Sequence, residues 1–264
     1  MSTHRINWHK GIVSAIQIDL RDYSHLLEYT PEYILSSNKN RIDLLVIKKL
    51  TNEFIPKSIA RIFKSINLFE FKGFHSAITT DAYYKLHGHA GYYINSTGKL
   101  NQYTRNDITL SLFSFQFPRK LFKHLRNDCN KTIEKIYPGI YYISNDMYDT
   151  QVIVGNELSP DDLLYLACLT NNSVGAASFK QLEQDCITHH NEPLYTDYVD
   201  QLTHPRNTKG VSSMVSENLL RLYGTSSKEI EEKTKAIYEP QLEAKDNRIA
   251  MLEQLLQDNN ISFD

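Results

Sequence analysis

Apolar and polar positions along the chain change period several times, and each change marks an element. Trp8, Ile12, Ile16 and Leu20 recur every four residues, with Ala15 thickening the stripe, so a helix is predicted through WHKGIVSAIQIDLRDY. The following LLEYTPEYIL is aromatic and alternating, and Pro31 makes it an edge or bulged strand. SSNKN at 36–40 reads as a turn, and RIDLLVIKK at 41–49 as a buried strand completing a hairpin. A third strand is predicted at SINLFEFKG, ended by Gly73, and then a helix through DAYYKLHGHAGYYINS capped by Thr79 or Thr80. DITLSLFSFQF alternates as a further strand. PRKLFKHLRND is a short helix with Pro118 at its first turn, and GIYYIS and TQVIVGNEL supply two more strands.

From Ser159 the chain changes character. Ser159, Pro160, Asp161 and Asp162 read as a helix start: a cap, a proline in the first turn and acids facing the positive end of the dipole. Helices are expected onward to about residue 224. Beyond Ser226, Tyr238, Leu242, Lys245, Ile249, Leu252, Leu256 and Asn259 follow a 4-3-4-3-4-3 spacing, the seam rhythm of a coiled coil, after Pro240 has interrupted the start. The pattern predicts a homodimer through this C-terminal helix. The alternative is the same helix lying back on its own core. The whole order predicts an α/β (α+β) core over residues 1–165, a helical extension over 166–225 and a charged, coiled-coil-like helix over 226–264.

Composition narrows the class. Hydrophobic residues are 41% and charged residues 23% of 264, an ordinary globular balance. Cys129, Cys168 and Cys186 are far apart and form no CxxC pair, which predicts neither a thiolate metal framework nor a disulfide ladder and suits the cytoplasm. No stretch approaches the roughly 20 apolar residues that span a bilayer, so no membrane partner is expected. The net charge of −2 hides an asymmetry: residues 1–150 hold 20 Lys/Arg against 13 Asp/Glu, and residues 151–264 hold 9 against 18. A basic first half suits a polyanion such as DNA.

Candidate chemistry lies in the strands. Asp43 opens one apolar strand, and Glu70 and Lys72 sit two apart on the next, so they project from one face. An acid followed by E-x-K on a neighbouring strand suits metal-assisted phosphodiester hydrolysis. Asp43 and Glu70 are hard oxygen ligands for Mg²⁺ or Mn²⁺, with the backbone carbonyl of Phe71 as a further donor. Lys72 is placed to orient water or stabilise charge on the phosphoryl oxygens. The alternative is a solvated sheet face carrying ordinary ion pairs. His87 and His89 are two apart on a helix and do not face one ion. Lys85, Arg119, Lys120 and Lys123 are candidate DNA-contacting residues on two helices.

RIDLLVIKK, then NLFEFKG, then DAYYKLHGHAGYYI resemble the PD-(D/E)XK nuclease superfamily, in particular a bacterial branch of transposase-like, recombination-promoting nuclease-like proteins. PRKL and PGIYYI add to the likeness, which covers roughly residues 8–165. The resemblance implies an αβββαβ restriction-endonuclease-like core and divalent-metal-dependent DNA cleavage. It assigns Asp43 and Glu70 as ligands and Lys72 as the catalytic lysine. Superfamily members often add an acid from the first helix. Here that helix offers Gln17 and Asp19 without a clear Glu, and Glu32 on the preceding strand is the other contributor considered. The function expected is a DNA endonuclease of mobile-element or recombination type. The alternative is a nuclease-derived nucleic-acid-binding or interaction protein.

Overall fold

A computed structural model describes residues 8–31, 44–72, 77–96, 102–170, 174–203 and 217–223, with positions 239–240, 245, 247–249 and 251 in the tail. The chain divides into two compact units, Met1–Leu202 and Thr203–Asp264.

The first unit is built on one sheet. Helix α1 (Trp8–Asp19) is followed by β1 (Leu27–Thr30), β2 (Leu44–Lys49), β3 (Ile66–Phe71), α2 (Thr80–Ser96) and β4 (Ile108–Ser114). Then come α3 (Arg119–Asn127), β5 (Thr132–Tyr137), β6 (Ile140–Ser144) and β7 (Asp149–Val154). The seven strands lie in the order β1-β2-β3-β4-β7-β6-β5. β3, β4 and β7 run parallel in the middle, and antiparallel pairs flank them on both sides. It is an α/β fold with a mixed sheet. The crossover from β3 to β4 carries α2, as a parallel connection requires.

Strand alternation sorts the side chains. Ile66, Leu68, Ile108, Leu110, Leu112 and Val152 join Ala82, Tyr83, Leu86 and Ala90 of α2 and Leu121, Phe122 and Leu125 of α3 in one buried cluster. The opposite face holds Phe69, Phe71 and Phe113, whose rings stand near 6 Å apart in sequence along the sheet, at 6.1 Å for each neighbouring pair. The polar positions of the alternating strands do not face water. Asn67, Thr109, Ser111 and Gln151 are all 0% exposed. They bond inside the core instead: Thr109 Oγ1 donates to Asn67 Oδ1, and Gln151 Nε2 donates to Ser111 Oγ and to the Ile59 carbonyl. β4 is therefore buried on both faces, as befits a central parallel strand.

Helices α4 (Leu164–Thr170), α5 (Ala176–Thr188) and α6 (Pro193–Leu202) complete this unit, and α1 packs against α4 and α6. α1 is enclosed well beyond the single expected stripe: Ile12, Val13, Ala15, Ile16 and Ile18 are all buried. Gly11 lets α6 come close, since a Cβ there would lie 2.3 Å from both Cβ and Cγ of Gln201.

The helix start expected at Ser159 is displaced. Residues 160–162 form a turn in which Leu163 N–H returns to the Ser159 carbonyl at 3.0 Å, and α4 begins at Leu164. The amides of Tyr165 and Leu166 are capped by Asp19, each at 2.9 Å. Asp162 accepts from the Ser58 amide at 3.1 Å instead. β5 is a strand that the apolar pattern does not reveal.

In the second unit, α7 (Glu217–Leu222) buries Leu219 and Leu220. Most of the heptad positions of the expected coiled coil lie outside the described residues.

Candidate active site at the end of the third strand

Glu70 is the last but one residue of β3 and sits on the α2 face with Ile66 and Leu68. Its side chain is 2% exposed. A carboxylate so far from water needs compensating partners. Two lysines provide them. Lys72, just past the end of β3 on the same face, brings its ammonium within 3.8 Å of Glu70 Oε1. Lys85, on the second turn of α2, reaches the same oxygen at 3.3 Å. Both lysine side chains remain partly solvated, at 35% and 45% exposure. The site is thus a buried carboxylate roofed by two cations whose heads open outward.

The backbone holds this arrangement from three sides. The Lys72 amide donates to the Phe113 carbonyl of β4 at 3.2 Å, so the residue after β3 stays in the sheet plane. Glu70 pairs in register with Leu112 of β4 and with Leu44, the first residue of β2. α2 is seated by Thr79, whose Oγ1 accepts from the Ala82 amide at 3.2 Å, the cap expected from the sequence. Its opposite end of contact is Asp146, in the turn between β6 and β7. That carboxylate accepts from Tyr83 Oη at 2.9 Å and Lys131 Nζ at 3.0 Å, and lies 3.1 Å from His87 Nε2. Hydrogen bonds and the charge of these partners outweigh burial and hold Asp146 below the usual carboxylate range.

Of the sequence-derived site residues, Glu70, Phe71 and Lys72 fall together at the C-terminal end of β3. Asp43 and Glu32 lie outside the described residues. Asp19, the other acid considered on the first helix, is committed elsewhere: it caps α4, and burial pushes its carboxyl up to about 7. Gln17 is half-buried on α1. Lys85, expected at a DNA surface, is an ion-pair partner of Glu70. Arg119, Lys120 and Lys123 are on α3. Arg119 and Lys120 line a cavity of about 690 Å³ with Thr79, Thr80, Gln116 and Asn156. These residues follow β4 and β7 or lead into α2, so the cavity opens at the C-terminal ends of the parallel strands. That is the end of the sheet at which Glu70 and Lys72 stand.

His87 and His89 do not share a site. His87 belongs to the Asp146 cluster, and burial pushes His89 down to about 4. Among the described residues, no group of three or more His, Cys, Asp or Glu side chains is placed to hold a metal ion, and no helix is long and apolar enough to cross a membrane. Sequence reading missed Lys85 as a partner of Glu70 and missed Asp146 entirely. The only local signal for Asp146 was its place after Asn145, whose φ of 62° marks a tight left-handed turn.

No protein-family model matches the chain, and no curated protein or solved structure is significantly similar to it.

Proposed function

We propose that the protein is a divalent-metal-dependent DNA endonuclease with a PD-(D/E)XK-type core, cutting phosphodiester bonds at the C-terminal end of β3. The observation that carries this reading is the buried Glu70 beside Lys72 on one face of a central strand. A carboxylate 2% exposed, with two partly solvated ammonium groups over it, is a costly arrangement for an ordinary sheet surface. The order helix, three strands, helix, strand from α1 to β4 supports the same reading, as does a cavity flanked by Arg119 and Lys120 at the same end of the sheet.

In this reading Glu70 and Asp43 would hold Mg²⁺ or Mn²⁺, and the Phe71 carbonyl and Glu32 would be further oxygen donors. The donor chemistry fits: Glu70 is a hard oxygen ligand, and Mg²⁺ characteristically takes one or two carboxylates and fills the rest of its shell with water and substrate phosphate. When bound, the metal supplies a water of lowered pKa and neutralises phosphate charge. The protein's own residues do the positioning. Lys72 faces the scissile phosphate and stabilises charge on its non-bridging oxygens. Lys85 holds the Glu70 carboxylate in one orientation from α2. Arg119, Lys120 and Lys123 carry the DNA backbone past the cavity. A homodimer would bring two such sites to the two strands.

A second reading is favoured by a specific observation. Asp19, the acid of the first helix, is spent on capping α4, so that helix lends it to no metal shell. A core that binds DNA through its cations without cutting it would have this appearance. The two readings separate in one experiment. Supercoiled plasmid is incubated with purified protein in Mg²⁺, Mn²⁺ or EDTA, and binding is followed in parallel by gel shift. Cleavage that needs metal and is lost in Asp43→Ala and Glu70→Ala supports the enzyme. Binding without cleavage in all three conditions supports the second reading.

A further inference from the structure

Where α3 ends, four side chains unused by the proposed cleavage site come together. Cys129 Sγ lies 3.4 Å from His124 Nε2. The other ring nitrogen, His124 Nδ1, lies 2.6 Å from Asp128 Oδ2. Tyr84 Oη, reaching across from α2, is 2.9 Å from Nε2 and 3.5 Å from Sγ. The helix end builds this cluster. His124 and Asp128 are four residues apart and share a face. The amides of Asp128 and Cys129 both return to the His124 carbonyl, at 2.9 and 3.3 Å, which folds the thiol back onto the imidazole. Asn130, with φ 49°, then turns the chain away.

A thiol against one nitrogen of an imidazole, whose other nitrogen is held by a carboxylate, has the three roles that activate a nucleophile. The remaining cysteines contrast with it. Cys168 and Cys186 are 1% and 0% exposed, and burial pushes both thiols up to about 12. Cys129 is half-buried and reachable. Tyr84 is held above its ordinary range, first by its hydrogen bond to Cys129, so it stays a neutral hydroxyl beside the sulfur. Among the described residues, Tyr83 and Asp146 are further titratable groups whose charge Tyr84 or Cys129 feels.

We propose that Cys129 is a modification site: a nucleophilic thiol, with His124 as its base and Asp128 as a positioning residue, that exchanges with small-molecule disulfides. The proton of Cys129 passes to His124 Nε2, and the resulting imidazolium faces the Asp128 carboxylate. The thiolate attacks one sulfur of the incoming disulfide, whose S–S bond breaks as the bond to Cys129 forms. The departing thiolate takes the proton from His124. One disulfide and one thiol enter, and one mixed disulfide and one thiol leave.

The test uses the folded full-length protein and an aromatic disulfide whose released thiolate is coloured. Mass mapping after one equivalent of reaction should place the adduct on Cys129, and Cys129→Ser should abolish the fast phase. At about pH 6, below the ordinary cysteine range, Cys129 should react about tenfold or more faster than free cysteine. His124→Gln should return the rate to that of free cysteine, and Asp128→Asn should shift the pH profile of the rate. Superimposable pH profiles for wild type and His124→Gln would overturn the proposal. Should His124→Gln fail to fold, the wild-type profile decides. Reactivity persisting below about pH 7 supports the assisted thiol, and a rate that tracks free cysteine overturns it.

Discussion

Removing Asp146 should loosen the helix that roofs the candidate site. Its side chain is 3% exposed and accepts from three donors, Tyr83 Oη, Lys131 Nζ and the Met147 amide, the last at 2.8 Å, and His87 Nε2 lies 3.1 Å away. Asp146→Ala leaves the Lys131 ammonium, itself 15% exposed, without its carboxylate. Breaking one partner of a buried ion pair costs about 3–5 kcal/mol. The stranded Tyr83 and His87 atoms add about 1–3 kcal/mol each, and the terms overlap because they share one acceptor. A loss of about 4 kcal/mol is therefore expected, a large share of the roughly 5–15 kcal/mol that holds a domain together. Asp146→Asn keeps the shape and one acceptor and should lose about half as much. The pH dependence has a definite sign. The folded carboxyl is held below its ordinary value of 3.8, so its contribution is present above that value and is lost as pH falls toward the folded one. Urea unfolding by circular dichroism at pH 7 and at lower pH reads both effects. The stability gap between wild type and Asp146→Asn should narrow as the pH drops below about 4. An Asp146→Ala loss under about 1 kcal/mol, or a gap indifferent to pH, would refute the reasoning.

Gly11→Ala should destabilise the protein although alanine favours a helix by about 1 kcal/mol, because overpacking against Gln201 Cβ costs about 1–3 kcal/mol. Gln201→Ala keeps that Cβ and should not rescue it, whereas Gln201→Gly should, as thermal unfolding of the double variants will show. Asp19, raised by burial to about 7, contributes stability that is complete below its unfolded value of 3.8 and is lost as pH rises through about 7. Wild type should therefore lose stability relative to Asp19→Asn between about pH 4 and pH 7 in urea titrations, and parallel curves would contradict this. Replacing Arg119, Lys120 and Lys123 together by Ala should weaken DNA binding at every sequence and lower the slope of log K against log salt by about 3, measured by fluorescence anisotropy.

The central strands were legible because burial leaves a strong trace. β2 and β3 read as apolar runs, and the spacing of Glu70 and Lys72 alone put them on one face. The Thr79 cap and the basic α3 were likewise visible locally. What escaped depends on distant partners. β5 alternates poorly, with Glu134 and Lys135 exposed in its middle, because it is an edge strand with little to bury. The start of α4 was misplaced because its cap, Asp19, is 146 residues from Tyr165. A local Ser-Pro signal cannot reveal that competition. The polar positions of β3, β4 and β7 carry no local sign of their partners, yet Thr109 pairs with Asn67 and Gln151 with Ser111 once the sheet is assembled. Glu70 was found from its own strand. Lys85 was not recognised as its partner, because nothing in one helix states which strand end it will meet.

The most direct test of the proposed chemistry is Lys72→Ala against wild type in a plasmid-nicking assay under saturating protein with Mg²⁺ or Mn²⁺. Lys85 still reaches Glu70 Oε1 at 3.3 Å when Lys72 is lost, so Lys72→Ala should keep the fold while taking away charge stabilisation in the transition state. The predicted result is metal-dependent nicking by wild type, slowed by roughly a hundredfold or more in Lys72→Ala at unchanged affinity. Equal nicking by both proteins, or wild-type nicking undiminished in EDTA, would contradict it.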